Sequence, residues 1–196
     1  MKDLNRLLSI EDPVKRKALF IALFSREIVH RGGKQPIIVG DEAVEIYTQG
    51  NYTTGDIDIK SPLELTEAVL KEWGFVKAGR PWLNKELDIY IDWLGSSLEE
   101  GEEAEKRTAL IKITEELEIR VISIEDLVID RLGAFKWWGD TDSLMWAKVL
   151  IRVKKSIDGL DVAYIRERAK KTDLLDILEE IISSGDTNLP KNTKNI

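Results

Sequence analysis

The segment from Ile37 to Ile59, IIVGDEAVEIYTQGNYTTGDIDI, constrains the fold most, because it predicts a buried strand, a glycine turn, a short helix and a second strand. Side chains alternate between the two faces of a strand, so Asp56 and Asp58 share one face while Ile57 and Ile59 point into the core. Neighbouring carboxylates repel each other and shift each other's protonation. A divalent cation removes this conflict, and Mg²⁺ prefers oxygen ligands. The segment therefore predicts a site for a metal-bound nucleoside triphosphate.

The composition is that of a soluble globular protein with one good core and room for a small helical appendage. The chain has 196 residues, of which 43% are hydrophobic and 33% charged. No apolar run approaches the roughly 20 residues of a membrane span, and the N-terminal residues are too charged for a signal peptide. Cysteine is absent, which excludes disulfides and thiolate metal sites. We expect a cytoplasmic protein with no membrane partner.

The net charge of −7 argues against broad, unspecific binding of nucleic acid, although a local basic groove stays compatible with it. Part of the negative charge lies in the run Glu99 to Glu105, EEGEEAE. We interpret this run as a solvated loop between strands.

The hydrophobic periodicity predicts an α+β protein, with a small twisted mixed β-sheet flanked by helices and a helical C-terminal part. Strands are predicted at 36–39, 56–60, 75–78, 82–84, 87–94, 110–114 and 118–122. Helices are predicted over 4–30 with a new start at Pro13, and at 41–47, 63–73, 125–135, 141–153, 161–170 and 174–183. We therefore expect an α/β core at 1–123, a helical part at 124–186 packed on that core, and a disordered tail at 187–196.

A third carboxylate is predicted from the alternating run LDIYIDWL at residues 87 to 94. Asp92 lies on its polar face, and a neighbouring strand can bring it beside Asp56 and Asp58. In two-metal phosphoryl transfer a third acid completes the second metal site and can take the proton of the attacking hydroxyl. Asp88 lies on the same face and competes with Asp92 for this role.

The glycine turn predicts how phosphates are held. Gly40 lets the backbone approach phosphate oxygens, and the following helix offers free N–H groups at its first turn. Asp41 belongs to the same candidate nucleotide-binding turn, or else it is only the N-cap of the helix. Thr53, Thr54 and Gly55 can supply hydroxyl and backbone donors beside the acids, or they form an ordinary turn.

Two other groups of residues point away from alternative chemistry. The single histidine, His30, lies at a predicted helix end, where its charge suits the helix dipole better than a catalytic role. Candidate serine nucleophiles have no histidine partner, which argues against a serine hydrolase.

An aromatic group around Trp137 and Trp138 is either a platform for a base or a packed helix corner in which Asp140 or Asp142 caps the next helix.

At these residues the chain resembles the nucleotidyltransferase superfamily with the DNA polymerase β-type fold. The pattern that carries the resemblance is Gly40-Asp41, then Thr54-Gly55-Asp56-Ile57-Asp58, then Asp92. A closer likeness is to minimal prokaryotic nucleotidyltransferase-like proteins, which include toxins of some abortive-infection toxin–antitoxin systems. This likeness extends through the run Ile122 to Leu132 and the stretch Trp138-Gly139-Asp140, so that it spans roughly residues 37–150.

The resemblance implies two Mg²⁺ ions and the transfer of a nucleotidyl group from a nucleoside triphosphate to a hydroxyl. Asp56 and Asp58 would hold metal, Asp92 would hold metal and act as the base, and Gly40 and its neighbours would hold the phosphates. One position departs from the family, because Asp41 stands where Gly or Ser is usual.

Three functions are compatible with this pattern. The first is a Mg²⁺-dependent enzyme that transfers a nucleoside monophosphate to a hydroxyl of an RNA, a protein or a small molecule. The second is an inactive protein on the same fold that binds or regulates a partner, such as a toxin–antitoxin component with an antitoxin-like partner or a second copy of itself. The third is a metal-dependent phosphodiester hydrolase, which needs no triphosphate pocket.

Overall fold

The computed structural model describes residues 6–157 and 159–184. The chain divides into two compact units, Met1–Ser123 and Ile124–Ile196. The predicted tail at 187–196 lies outside the described residues. The packing of the helical part on the core stays a prediction.

In the first unit, the described residues form one sheet of seven strands with helices between them. The strands are β1 Ile37–Ile38, β2 Asp56–Lys60, β3 Val76–Lys77, β4 Trp82–Asn84, β5 Ile89–Trp93, β6 Ala109–Lys112 and β7 Glu118–Val121. The helices are α1 Pro13–His30, α2 Gly40–Tyr47, α3 Leu63–Glu72 and α4 Glu102–Arg107. The strand order is β3-β4-β5-β2-β1-β7-β6. The pairs β2–β5 and β1–β7 are parallel and the others antiparallel, so the sheet is mixed as predicted.

Strand β2 lies near the middle of the sheet. Its side chains point alternately into the core and towards the candidate site. Ile57 and Ile59 are 0% and 2% exposed, whereas Asp56 and Asp58 are only partly buried. Because β2 pairs with β1 on one side and β5 on the other, it cannot slide by one residue without moving both isoleucines out of the core. The packing of Ile57 and Ile59 therefore determines where the two acids point.

Helix α1 begins and ends where the sequence predicts. Asp12 is its N-cap, and its carboxylate accepts hydrogen bonds from the backbone N–H groups of Val14 and Lys15, at 2.9 and 3.2 Å. Gly32 follows the helix with a φ of +82°, a conformation that suits glycine. The buried face of α1 carries aromatic rings that pack against Trp73, and this packing holds the helix against the core.

The acidic run that we predicted to be a loop is partly helical. Helix α4 occupies Glu102–Arg107, and Ala104 within it is fully buried. The reason is local, because glutamate, alanine, lysine and arginine all favour helices, and acids lie in its first turn with bases in its last.

The second unit consists of helices in its described part: α5 Ile124–Trp138, α6 Thr141–Ile157, α7 Val162–Lys171 and α8 Leu175–Ser184. Asp126 is 1% exposed and accepts hydrogen bonds from the Tyr164 hydroxyl at 2.8 and 3.0 Å and from Arg168 Nε at 3.3 Å. These partners explain why an acid is tolerated in the interior of this unit.

Two rings of the aromatic group of the second unit, those of Trp137 and Trp138, do not pack into a helix corner, whereas Phe135 and Trp146 are partly buried. Trp137 and Trp138 are 58% and 81% exposed. The prediction that Asp140 or Asp142 caps the next helix is confirmed for Asp140, which accepts hydrogen bonds from the backbone N–H groups of Asp142 and Ser143 at the start of α6. Within residues 6–157 and 159–184, every helix is too short or too polar to cross a membrane.

Candidate active site

Three carboxylates meet on one side of β2 and β5. The two strands run parallel, with Asp58 opposite Asp92 and Asp56 opposite Tyr90. One carboxylate oxygen from each of Asp56, Asp58 and Asp92 lies within 4.8 Å of the other two. Asp92 is 2% exposed, and the other two acids are partly buried. The structure thus brings together the three acids that the sequence pattern selected as metal ligands.

The competing acid, Asp88, lies outside this cluster. Strand β5 begins only at Ile89, and Asp88 is an exposed residue of the preceding turn with a φ of +52°. The predicted strand at 87–94 was therefore too long at both ends. The same alternation of polar residues continues through Asp88, so periodicity alone cannot separate a turn acid from a strand acid.

Gly40, the first residue of α2, brings the backbone directly against Asp58. Its φ is +56°, and a Cβ atom at this position would lie only 2.3 Å from Asp58 Oδ2. The backbone N–H of Asp41 donates to the same oxygen, at 3.1 Å. This turn therefore fixes one carboxylate of the cluster, in addition to its predicted role in holding phosphates, which stays a prediction.

The alternative interpretation of Asp41 as the helix N-cap is wrong. Helix α2 begins at Gly40, and its N-cap is Val39, which makes no side-chain capping bond. Asp41 lies in the first turn of the helix, where its charge suits the positive end of the helix dipole. Its side chain adds a fourth acid near the cluster.

The electrostatics of the cluster favour a bound cation. The pKa of Asp58 is raised from 3.8 to about 7, chiefly by burial; the hydrogen bond from the Asp41 N–H lowers it, and the charges of Asp56, Asp41 and Asp92 raise it. The residues fit Mg²⁺, because three carboxylates supply only hard oxygen ligands and gather negative charge at one place on the sheet. When bound, the metal would neutralise that charge and hold phosphate oxygens beside it.

Thr54 connects this cluster to a buried ion network. Its hydroxyl donates to Asp56 Oδ1 at 3.0 Å, and its backbone N–H donates to Glu45 Oε2 at 2.8 Å. Lys17 Nζ, from α1, donates to Glu42 and Glu45 at 2.7 Å each and to the Thr54 carbonyl at 3.1 Å. The loop that precedes Asp56 is therefore held by charges on two helices.

Sequence reasoning missed this network, although a signal for it existed. Lys17 stands three and four residues before Phe20 and Ile21, on the buried face of α1, where a lysine is unusual without a partner. Lys17, Glu42 and Glu45 are 7%, 2% and 1% exposed. Burial lowers the pKa of Lys17, but the two glutamates outweigh that effect and leave it raised.

The network predicts a pH dependence of stability through Glu42. The pKa of Glu42 is raised from 4.5 to about 8, chiefly by burial; Lys17 lowers it, and the charges of Glu45 and Asp58 raise it. The folded state holds this proton more tightly than the unfolded state. Its contribution to the free energy of unfolding is therefore complete below pH 4.5 and is lost as the pH rises towards 8.

We expect the Glu42→Gln variant to lose less stability than the natural chain between about pH 5 and about pH 8. Glutamine keeps an oxygen for Lys17 but cannot ionise, so at the upper pH the variant should be the more stable by about 1 kcal/mol or more, each pKa unit being worth about 1.4 kcal/mol. Urea unfolding at both pH values measures this. Glu64→Gln, at an exposed position of α3, should keep the original dependence. An unchanged dependence in Glu42→Gln would contradict the assignment.

A cavity of about 350 Å³ opens beside the acids. It is lined by Gly55, Asp56, Pro81 and Tyr90, and the Tyr90 side chain is among the exposed large residues of the sheet. The cavity therefore combines one carboxylate of the cluster with an aromatic wall.

Arg80 is a second residue that sequence reasoning missed. It lies in the turn between β3 and β4, and its guanidinium makes two hydrogen bonds to Asp92: Nε donates to Oδ1 at 3.0 Å and a terminal nitrogen donates to Oδ2. No periodic pattern predicts this contact, because Arg80 lies in a turn next to Gly79, whose φ is +74°.

The comparisons with known proteins support the fold and not a particular activity. No protein-family model and no curated protein matches the chain. Solved structures do match, among them the solution structure of the antibiotic-resistance factor ANT(2'')-Ia, with a TM-score of 0.53 and 15% sequence identity. The match covers 93% of this chain and 99% of the other. The predicted fold class is confirmed: the chain has an α+β, nucleotidyltransferase-like fold.

Proposed function

We propose that the protein is a Mg²⁺-dependent nucleotidyltransferase that transfers a nucleoside monophosphate from a nucleoside triphosphate to a hydroxyl acceptor. The observation that carries the proposal is the cluster of Asp56, Asp58 and Asp92 on adjacent parallel strands, with Asp58 held by the turn at Gly40. Three convergent carboxylates beside a glycine turn and a helix start suit the binding of a metal-bound triphosphate. The nucleotidyltransferase-like fold supports the same assignment.

In this proposal the residues of the chain position the reactants and move one proton. The acceptor oxygen attacks the α-phosphorus, the bond from the α-phosphorus to the bridging oxygen breaks, and pyrophosphate leaves with that oxygen. Asp56 and Asp58 would hold metal, and Asp92 would hold metal and take the hydroxyl proton of the acceptor. Gly40, Asp41 and Thr54 form the nucleotide-binding turn in this proposal, in which the Asp41 N–H and the Thr54 hydroxyl exchange their partners Asp58 and Asp56 for phosphate oxygens.

The acceptor is proposed only as a hydroxyl of an RNA, a protein or a small molecule. The cavity lined by Pro81 and Tyr90 lies beside Asp56 and offers space for the acceptor or the base. We further propose that the protein acts in the cytoplasm.

A second candidate function is a non-catalytic binding protein on this fold, including a component of a toxin–antitoxin pair. It is favoured by Asp41, whose negative charge already acts on Asp58 and would oppose a triphosphate at the turn. The exposed Trp137 and Trp138 would suit an antitoxin-like protein partner or a second copy of this chain.

The deciding experiment is calorimetric titration of the four common nucleoside triphosphates, first with Mg²⁺ and then with excess EDTA. We expect binding in Mg²⁺ that EDTA removes. The Asp56→Asn/Asp58→Asn variant should bind about 100-fold more weakly or worse, since it removes two direct ligands. Asp88→Asn is the matched control, because it makes the same change at an acid outside the cluster. A folded natural chain that binds no triphosphate would refute the transferase and leave the second candidate.

A further inference from the structure

The ion pair between Arg80 and Asp92 lies where a metal ligand should be available. Both oxygens of Asp92 accept hydrogen bonds from the guanidinium. The Asp92 side chain is 3% exposed, whereas that of Arg80 is 75% exposed. The arginine therefore covers the carboxylate from the solvent side, and a cation that approaches Asp92 meets a positive charge first.

The charge of Arg80 is tied to the whole cluster. Arg80 donates two hydrogen bonds to Asp92, one oxygen of which lies within 4.8 Å of a carboxylate oxygen of both Asp56 and Asp58. The guanidinium thus gives partial neutralisation to three acids that otherwise repel one another. A divalent cation would neutralise the same acids more completely. The arginine and the metal therefore compete for the carboxylate oxygens of Asp92.

The arginine can leave Asp92 at little structural cost. Its turn is closed by backbone groups, with the Ala78 N–H donating to the Pro81 carbonyl at 2.9 Å, so the turn does not depend on the side chain. The mostly exposed Arg80 side chain gives up little packing when it moves. Its planar fork of donors suits the oxygens of a triphosphate as well as those of a carboxylate.

We propose that Arg80 is a displaceable counter-ion of Asp92 that transfers to the triphosphate when metal binds, so that metal and nucleotide bind synergistically. This inference rests on the proposed function. Metal alone must displace the arginine into water, whereas metal that arrives with a triphosphate gives the arginine a new anionic partner. Linkage requires that each ligand then strengthens the binding of the other by the same factor.

The experiment measures Mn²⁺ affinity by calorimetry and by the spin resonance signal of free Mn²⁺. Each protein is titrated alone and with a saturating α,β-methylene triphosphate analogue, which cannot transfer its nucleotidyl group. Arg80→Gln removes the charge, and Arg80→Lys keeps the charge without the fork. Arg166→Gln is the matched control, because Arg166 makes a similar two-bond ion pair with Glu179, at 2.6 and 2.9 Å, on the exterior of the second unit.

Without the analogue, we expect Arg80→Gln to bind Mn²⁺ at least about 5-fold more tightly than the natural chain. The analogue should increase the Mn²⁺ affinity of this variant much less than that of the natural chain. Arg80→Lys should fall between the two, and Arg166→Gln should match the natural chain. Equal Mn²⁺ affinity in Arg80→Gln and the natural chain, with metal-dependent binding of the analogue intact, would overturn the role of Arg80 alone. Failure of every protein to bind Mn²⁺, with or without the analogue, would overturn the proposed function as well.

Discussion

Replacing Lys17 with methionine is expected to lower the free energy of unfolding by about 3–5 kcal/mol, because it leaves the buried Glu45 carboxylate without its cation and Glu42 without its hydrogen-bond donor. Lys17 lies 2.7 Å from both Glu42 and Glu45, and all three side chains are almost fully buried. Lys17 also donates to the Thr54 carbonyl, so the loop before Asp56 loses a support. Denaturant unfolding of both proteins near neutral pH measures the difference.

Lys15→Met is the matched control for this variant. Lys15 lies two residues earlier on α1, its side chain is 78% exposed, and its ion pair with Asp12 is 3.8 Å long. Loss of an exposed ion pair should change stability by no more than about 0.5 kcal/mol. A second Glu45→Gln change in the Lys17→Met background should restore part of the loss, since it removes one uncompensated charge. If Lys17→Met and Lys15→Met were equally stable, the buried network would not contribute as argued.

Replacing Gly40 with alanine is expected to reduce metal-dependent nucleotide binding by about 10–100-fold. The added Cβ would lie 2.3 Å from Asp58 Oδ2, so either the carboxylate or the turn must move. The positive φ of +56° adds backbone strain of about 1–2 kcal/mol. Because Asp58 accepts the Asp41 N–H from this turn, its position and the start of α2 are disturbed together.

Gly133→Ala is the matched control, for which we expect the opposite effect on stability. Gly133 lies inside α5, and a Cβ there would make only an ordinary contact, 3.8 Å from Trp137. Alanine favours the helix interior by about 0.5–1 kcal/mol, so this variant should be slightly stabilised with unchanged nucleotide binding. Calorimetric titration with Mg²⁺ and a triphosphate compares the three proteins. Full binding by Gly40→Ala would show that the close approach to Asp58 is not needed.

The strands around the cluster were predictable because their signal is local. Asp56 and Asp58 alternate with isoleucines that can only be core residues, and this pattern sets their shared face without any knowledge of the neighbours. The helix at Glu102–Arg107 was missed although its signal is also local, because its high charge was taken as the sign of a loop. Helix propensity and dipole placement outweighed charge density there.

The choice between Asp88 and Asp92 depended on information that the pattern does not hold. Both acids lie at even spacing from Tyr90, and only the register of β5 against β2 places Asp92 opposite Asp58. The same limit applies to Arg80, which meets Asp92 across the β4–β5 hairpin, 12 residues away in the chain.

The sequence by itself determined the α+β class, the strand that carries Asp56 and Asp58, and the glycine turn between β1 and α2, since periodicity and backbone preference act over a few residues. Only the tertiary structure decided which third acid joins the cluster, that Gly40 must leave room for Asp58, and that Lys17 and Arg80 balance its charge. Those contacts join side chains from separate elements, and their free energy depends on burial and on distances of a few ångströms that no local pattern encodes.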